Sequence, residues 1–428
     1  MQQKLIALAI MSTTASLSSA AFAQSNVTIY GVADATFDVI SVSGGATPAL
    51  KANTPNFTRV ATNGSRIGFK GSEKLGNGLT ALFQFESDVK FDEGGALGTT
   101  RDSFVGISGE FGKITLGNLS GISRSFASAL DVNAGADGIG SNQAILGKAG
   151  GLLAGTKLNG GGNFSAPRTS PSTTRSGGTA GLFDNRFTNA VAYVSPKFSG
   201  IQFAAQYAAN ENKDDSSAAK INTAAYDLGL TYANGPIYIG LTYADARWRN
   251  QDDGDPAAAP AVTTLSERWG DDFRSHEVRL GGKYDFGNAT LRVIWSQNRT
   301  KADANTLAAR IAATNGVDLK QNVWGIGGTF NVTANGKLIG QYYRANDLSG
   351  SIGNGANSLA DTGAQFINVG YEHSLSKRTL LKLVYARISN DENAGVWNGG
   401  YDFGKNGTGF GGADRKISGI QAGLRHVF

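Results

Sequence analysis

The chain has 428 residues and no cysteine, which excludes disulfides and thiolate metal sites. Hydrophobic residues make up only 40%, 59 residues are glycine, and beyond the start no stretch approaches about 18 consecutive apolar positions, which excludes transmembrane helices. The formal net charge of +5 comes from scattered basic residues, so there is no nucleic-acid footprint and no nucleic-acid partner is expected.

The chain opens MQQKLIALAIMSTTASLSSAAFA. One early cation, Lys4, precedes an apolar run over 5–11, and small residues follow up to Ala21-Phe22-Ala23. This is the layout of a cleaved secretory signal whose apolar run is too short to span a bilayer. Residues 1–23 are expected to be removed, leaving 24–428 as one domain.

From Asn26 onward the dominant period is two. IQFAAQY sets Ile201, Phe203, Ala205 and Tyr207 against Gln202, Ala204 and Gln206. YDLGLTY sets Tyr226, Leu228, Leu230 and Tyr232 against Asp227, Gly229 and Thr231. IYIGLTY and LRVIWS alternate in the same way. Strands are predicted near 26–40, 58–70, 78–91, 101–109, 113–119, 187–195, 200–210, 222–233, 236–249, 272–285, 289–300, 321–331, 336–346, 364–374, 378–390 and 415–428. Most are about 9–14 residues long, which suits tilted strands crossing a bilayer better than a soluble sheet.

Tight turns join every second pair: GSEKLGN, GEFG, PKFSG, ANGP, FGNA, TANG and LSKR. Between them lie long Gly/Ser/Asp/Asn-rich segments such as 41–57, 250–271, 301–320, 347–363 and 391–414. About sixteen strands, with short turns on one side and long loops on the other, is the pattern of an outer-membrane barrel. In hydrocarbon every backbone N–H and C=O must be paired, so the sheet closes on itself. A barrel of that size is too wide for side chains to fill and holds an aqueous channel. A secreted sandwich or solenoid would need a domain boundary or a fixed-period repeat, and neither is present.

Alternation also sorts the charges. Beside outward Ile67 and Phe69, Arg66 and Lys70 point into the lumen; beside outward Val278, Leu280 and Tyr284, so do Glu277, Arg279, Lys283 and Asp285. Glu86, Arg292, Lys382 and Arg425 are inward by the same rule, since a charge on the lipid face costs about 2–4 kcal/mol near the midplane. Arg101 shares parity with Val105 and Ile107, which should face lipid, so it sits at a loop end or beside a bulge. The segment 120–186 is too long and too rich in Gly and Ser for a surface hairpin. It carries Arg124, Lys148, Lys157, Arg168 and Arg175 against Asp131, Asp137 and Asp184, with Arg186 at its end. Excess fixed cations at a constriction raise the local anion concentration, so weak anion preference is expected.

Other signals are weak. NQDDGDP groups Asp252, Asp253 and Asp255 but lacks the rest of a calcium loop, and reads as a solvated loop tip. His276, His373 and His426 lie on separate strands without a nucleophile motif. GFKGSEK has the wrong spacing for a phosphate loop. No enzymatic activity, cofactor or metal is expected. The strand glycines are read as kinks and turn positions. The long loops lack the aromatic and arginine clusters of an adhesive surface.

Three stretches resemble the general porins of β-proteobacterial outer membranes: GSRIGFKGSEKLGNGLTALFQFE, RDSFVGISGEFGKITLG, and NRFTNAVAYVSPKFSGIQFAAQYA. The start NVTIYGVAD and the terminal Phe428 also fit. LGNLSG departs from the family, which commonly has Arg-Gln after the Gly, and the third loop is longer than usual. The resemblance implies an all-β, 16-stranded antiparallel transmembrane barrel with the third loop, 120–186, folded into the lumen as the pore constriction. It implies a homotrimer in outer-membrane lipid and lipopolysaccharide that passes small ions and solutes. It places Arg66, Arg101 and Arg186 opposite the third loop, and makes Phe428 the signal read by the barrel-assembly machinery.

Overall fold

The computed structural model describes residues 26–146, 183–210, 220–251, 272–302, 317–351, 359–394, 400–404 and 407–428. The expected signal segment 1–23 lies outside them. So do Lys148, Lys157, Arg168, Arg175 and the Asp252, Asp253 and Asp255 group.

The chain folds into β1 (Asn26–Gly44), β2 (Asn56–Thr62), β3 (Arg66–Gly76), β4 (Leu79–Asp88), β5 (Ser103–Gly109), β6 (Gly112–Ser120), β7 (Arg186–Val194), β8 (Ile201–Ala208) and β9 (Lys220–Asn234). Then come β10 (Ile237–Gln251), β11 (Asp272–Asp285), β12 (Ala289–Ala302), β13 (Val317–Asn331), β14 (Gly336–Ala345), β15 (Ser349–Ser351), β16 (Ala364–Ser374), β17 (Thr379–Asn390) and β18 (Arg415–Val427). Two short helices, α1 (Pro48–Ala52) and α2 (Ile122–Ala129), lie in the first and third long connections.

All strands belong to one antiparallel sheet, and β1 closes it. Its residues Val32–Gly44 pair with β18, Asn26–Val32 with β3, and Ala35–Ser41 with β2. Strands β2 and β3 thus lie end to end along one neighbour and form a single stave. Strand β15 is a three-residue annex on β13. The barrel therefore has sixteen staves. The interruption at 63–65 is filled by side chains: Asn63 donates to Asp34, and Ser65 exchanges hydrogen bonds with the Asp34 backbone. Several strands run further into the long connections than alternation predicted: β1 reaches Gly44 and β13 begins at Val317.

Alternation becomes a two-sided wall. Along β1, Val27, Ile29, Phe37 and Val39 are exposed, while Asp34, Thr36, Asp38 and Ile40 are buried. Along β17, Leu381, Leu383 and Tyr385 are exposed, while Lys382, Val384 and Ala386 are buried. A continuous exposed apolar band of this kind is unsuited to water and suited to hydrocarbon. The seven predicted tight turns all lie at one rim. In the β3–β4 turn, Asn77 and Gly78 have φ of 49° and 76°, the left-handed pair that a two-residue hairpin turn needs.

Candidate pore constriction

The third connection folds back along the inner wall. Ile122, Phe126 and Leu130 recur every four residues at α2, which places them on one helix face. Opposite each stands an inward glycine. A Cβ on Gly229 of β9 would lie 2.5 Å from Ile122, and one on Gly240 of β10 would lie 2.5 Å from Phe126. On Gly281 of β11 it would lie 2.7 Å from Leu130, and on Gly327 of β13 3.0 Å from Val132. These strand glycines are seats for incoming side chains, not the kinks that the sequence suggested.

Polar contacts fix the same segment. The Asp227 carboxylate accepts from the Ser123 N–H at 2.9 Å and from Ser123 Oγ at 2.7 Å. It thereby satisfies a free amide at the positive end of α2 from the neighbouring wall. Asp131 accepts from the N–H groups of Asn133 (2.9 Å) and Asn142 (2.7 Å), and Gln341 of β14 donates to the Gly140 carbonyl at 2.7 Å. Glu372 of β16 accepts the Ala134 N–H at 2.9 Å. Burial pushes the Asp131 carboxyl above the usual carboxylate range, against these donors. Burial, and then the nearby Arg186, pull the Arg124 guanidinium down to about 10, so it remains a cation at neutral pH.

Part of the lumen is dry. Ile40, Ile339, Tyr343, Phe366, Ile388 and Ile417 point inward from the wall and pack with Ile139, Ile145 and Leu146 of the third connection and with Tyr401 and Phe403 of the last one. Inward positions here are therefore large and apolar as well as charged. The returning connections cover this part of the wall, and each large apolar side chain buried there contributes roughly 1.5–3 kcal/mol.

The predicted site residues divide into three groups. Arg66, Arg101 and Glu86 come together: Arg66 Nε is 3.5 Å from Glu86, Arg101 pairs with Glu86 and lies 2.7 Å from Asp88, and the Tyr30 hydroxyl donates to Glu86 at 2.9 Å. Arg186 stands nearby on Asp102 at 2.7 Å. Arg101 precedes β5, and its N–H bonds the Glu86 carbonyl at 3.1 Å, one position out of the register set by Gln84 opposite Phe104. Loop end and one-residue slip both apply, which explains its parity.

The second group is buried. Arg279, predicted to line the bore, has 0% exposure. It pairs with Glu277, lies 2.8 Å from Asp184 and donates to the Ser123 carbonyl at 3.0 Å. It anchors the third connection, because the connection covers it. Arg124, donating to the Asp184 carbonyl at 2.5 Å, and Asp131 are likewise internal ties.

The third group is lysine. Lys70 Nζ lies 4.9 Å from the centre of the Tyr30 ring, and Lys283 Nζ lies 5.9 Å from that of Tyr238. Lys113, which sequence reasoning missed, lies 6.0 Å over Phe104. Its inward parity was available in KITL, beside outward Ile114 and Leu116, but its ring partner depends on register. None of the ion pairs among the described residues includes these lysines. The histidines remain apart: His373 meets Tyr371, His426 meets Thr379, and no metal-binding group of three or more His, Asp or Glu occurs among the described residues.

Comparison with known proteins fits this geometry. A family model described as Gram-negative porin matches residues 7–393. Outer membrane porin protein 32 of Delftia acidovorans is 27% identical over 440 residues, covering 100% of both chains. Among solved structures, an anion-selective porin from Comamonas acidovorans superposes with a TM-score of 0.66 at 25% identity, covering 95% of this chain and 100% of that one. In-vitro folded OmpT of Vibrio cholerae, in a trimer form, superposes with a TM-score of 0.57 at 15% identity over 94% of this chain and 99% of its own, a likeness of fold alone.

Proposed function

The chain belongs to the Gram-negative porin family and forms a passive diffusion channel in the outer membrane; from that premise we propose that its third connection narrows the bore and that small anions pass more readily than cations. The observation that carries the proposal is the pattern of pairing. Arg66, Arg101 and Arg186 are matched by Glu86, Asp88 and Asp102, so their field is largely cancelled. Lys70, Lys113 and Lys283 rest on rings, and no ion pair among the described residues includes them. Uncompensated cations in a low-dielectric wall raise the local anion concentration. The likeness to an anion-selective porin points the same way. Arg168 and Arg175 lie outside the described residues, and their part in selectivity is an extension of this proposal.

We further propose a homotrimer standing in outer-membrane lipid and lipopolysaccharide, assembled through recognition of Phe428 by the barrel-assembly machinery, after removal of 1–23. The staves β5 to β8 have 7, 9, 9 and 8 residues, against 14 or 15 in β9 to β13. Strands that short rise less than the apolar band of a membrane barrel and suit cover by a second copy.

The test is the zero-current potential of single channels in a planar bilayer under a KCl gradient. The expected potential favours Cl⁻, and Lys70→Gln, Lys113→Gln and Lys283→Gln together bring it close to zero. A K⁺-favouring potential, or a triple variant with unchanged potential, overturns the lysine assignment.

A further inference from the structure

The register of β10 to β13 arranges the lipid-facing residues in rows. Leu241, Leu280, Trp295 and Trp324 stand opposite one another in one apolar row, and Tyr243, Val278, Gln297 and Asn322 form the next toward the long connections. Beyond them lies a row of Asp245, His276, Arg299 and Lys320, then one of Arg247, Arg274, Lys301 and Asp318. Across the barrel a comparable row reads Gln365, Ser389, Lys416 and Ser43.

Five cations therefore share two rows with two carboxylates. Asp245 is divided between Arg247 (2.8 Å) and Arg274 (2.6 Å), and Asp318 between Arg299 (2.5 Å) and Lys301 (3.3 Å). Arg247, Arg274 and Lys301 are directly opposed like charges on adjacent strands, and with Arg299 and Lys320 they exceed the two carboxylates by three, a repulsion that further anionic groups relieve. Their side chains are 44%, 43% and 52% exposed, on the lipid side of the wall. From Ile237 to Asp245 the strand climbs about 27 Å, or about 20 Å of height once tilted, so the charged rows stand at the upper edge of the apolar band.

We infer that this patch binds a multiply phosphorylated glycolipid of the outer leaflet. Phosphates bridge the opposed cations, and acyl chains lie along the Leu241, Leu280, Trp295 and Trp324 row beneath. The inference rests on the proposal that the wall stands in lipopolysaccharide, and names where that lipid is held.

The test titrates the delipidated, detergent-folded full chain with bisphosphorylated lipid A, monophosphorylated lipid A and inorganic phosphate, with bound lipid read by native mass spectrometry. Bisphosphorylated lipid A is expected to bind more tightly than the monophosphorylated form, and millimolar phosphate to leave it in place. Arg274→Gln, Lys301→Gln and Lys320→Gln combined weaken binding about a hundredfold, while Lys416→Gln leaves it unchanged. Should the triple variant fail to fold, Lys301→Glu with Lys320→Glu gives the same loss while leaving the Arg274 pair with Asp245 in place. Wild-type binding by the folded variants overturns the inference, as does displacement by inorganic phosphate. Conductance is recorded in parallel: normal channels without lipid selectivity sink this site alone, and selective binding by a protein that makes no channels sinks the pore instead.

Discussion

Arg279 shows how far a residue's role departs from its parity. Alternation points it inward, as it does Lys70, yet packing makes one a fully buried tie and leaves the other exposed. Arg279→Met would leave Glu277 and Asp184 buried beside each other without their shared cation. The expected loss is about 3–5 kcal/mol of stability, seen as a lower urea midpoint of the heat-modifiable band. Lys70→Gln should move that midpoint by no more than about 0.5 kcal/mol, because its side chain ties nothing down. An Arg279→Met protein with the wild-type midpoint would show that the pair contributes selectivity and not anchoring.

At the scale of elements, the barrel wall is built to receive α2. Its inward glycines at 229 and 240 remove the Cβ atoms that Ile122 and Phe126 would strike. Gly240→Val should push Phe126 off its seat at a cost of about 1–3 kcal/mol, and the measurement is single-channel current. The expected trace has a higher and noisier conductance, since the segment proposed to narrow the bore is less firmly held. Gly235 serves a different purpose: its φ of 54° sits in a tight turn, with nothing within 4 Å of an added Cβ. Gly235→Asn should leave the current unchanged, because asparagine tolerates that left-handed conformation.

For the whole molecule, closure is the decisive step. A sheet in lipid with an open edge would leave a row of unpaired amides, so β1 must pair with β18. The seam ends where Gly31 and Phe428 exchange N–H to carbonyl hydrogen bonds, each 3.1 Å long. A Cβ on Gly31 would stand 2.3 Å from the Phe428 ring. Gly31→Val is therefore expected to lower the fraction of chain reaching the heat-resistant form in refolding, with little change in the conductance of barrels that do close. Equal refolding yields for variant and wild type would show that the aromatic ring can leave its place without cost.

The sequence by itself determined the barrel, the number of staves, the rim with short turns and the inward or outward facing of most strand residues. Those properties are local. A period of two needs only neighbouring residues, and lipid on one side with water on the other enforces it strand after strand. Tertiary structure decided what the inward residues do. Which arginine meets which carboxylate, which lysine lies on which ring and which glycine seats which helix residue all depend on register between strands and on the path of the third connection. Arg247, Arg274, Arg299 and Lys301 are scattered in the sequence and become neighbours only when three strands are aligned. Alternation carries no information about that alignment, because it repeats identically at every shift of two residues.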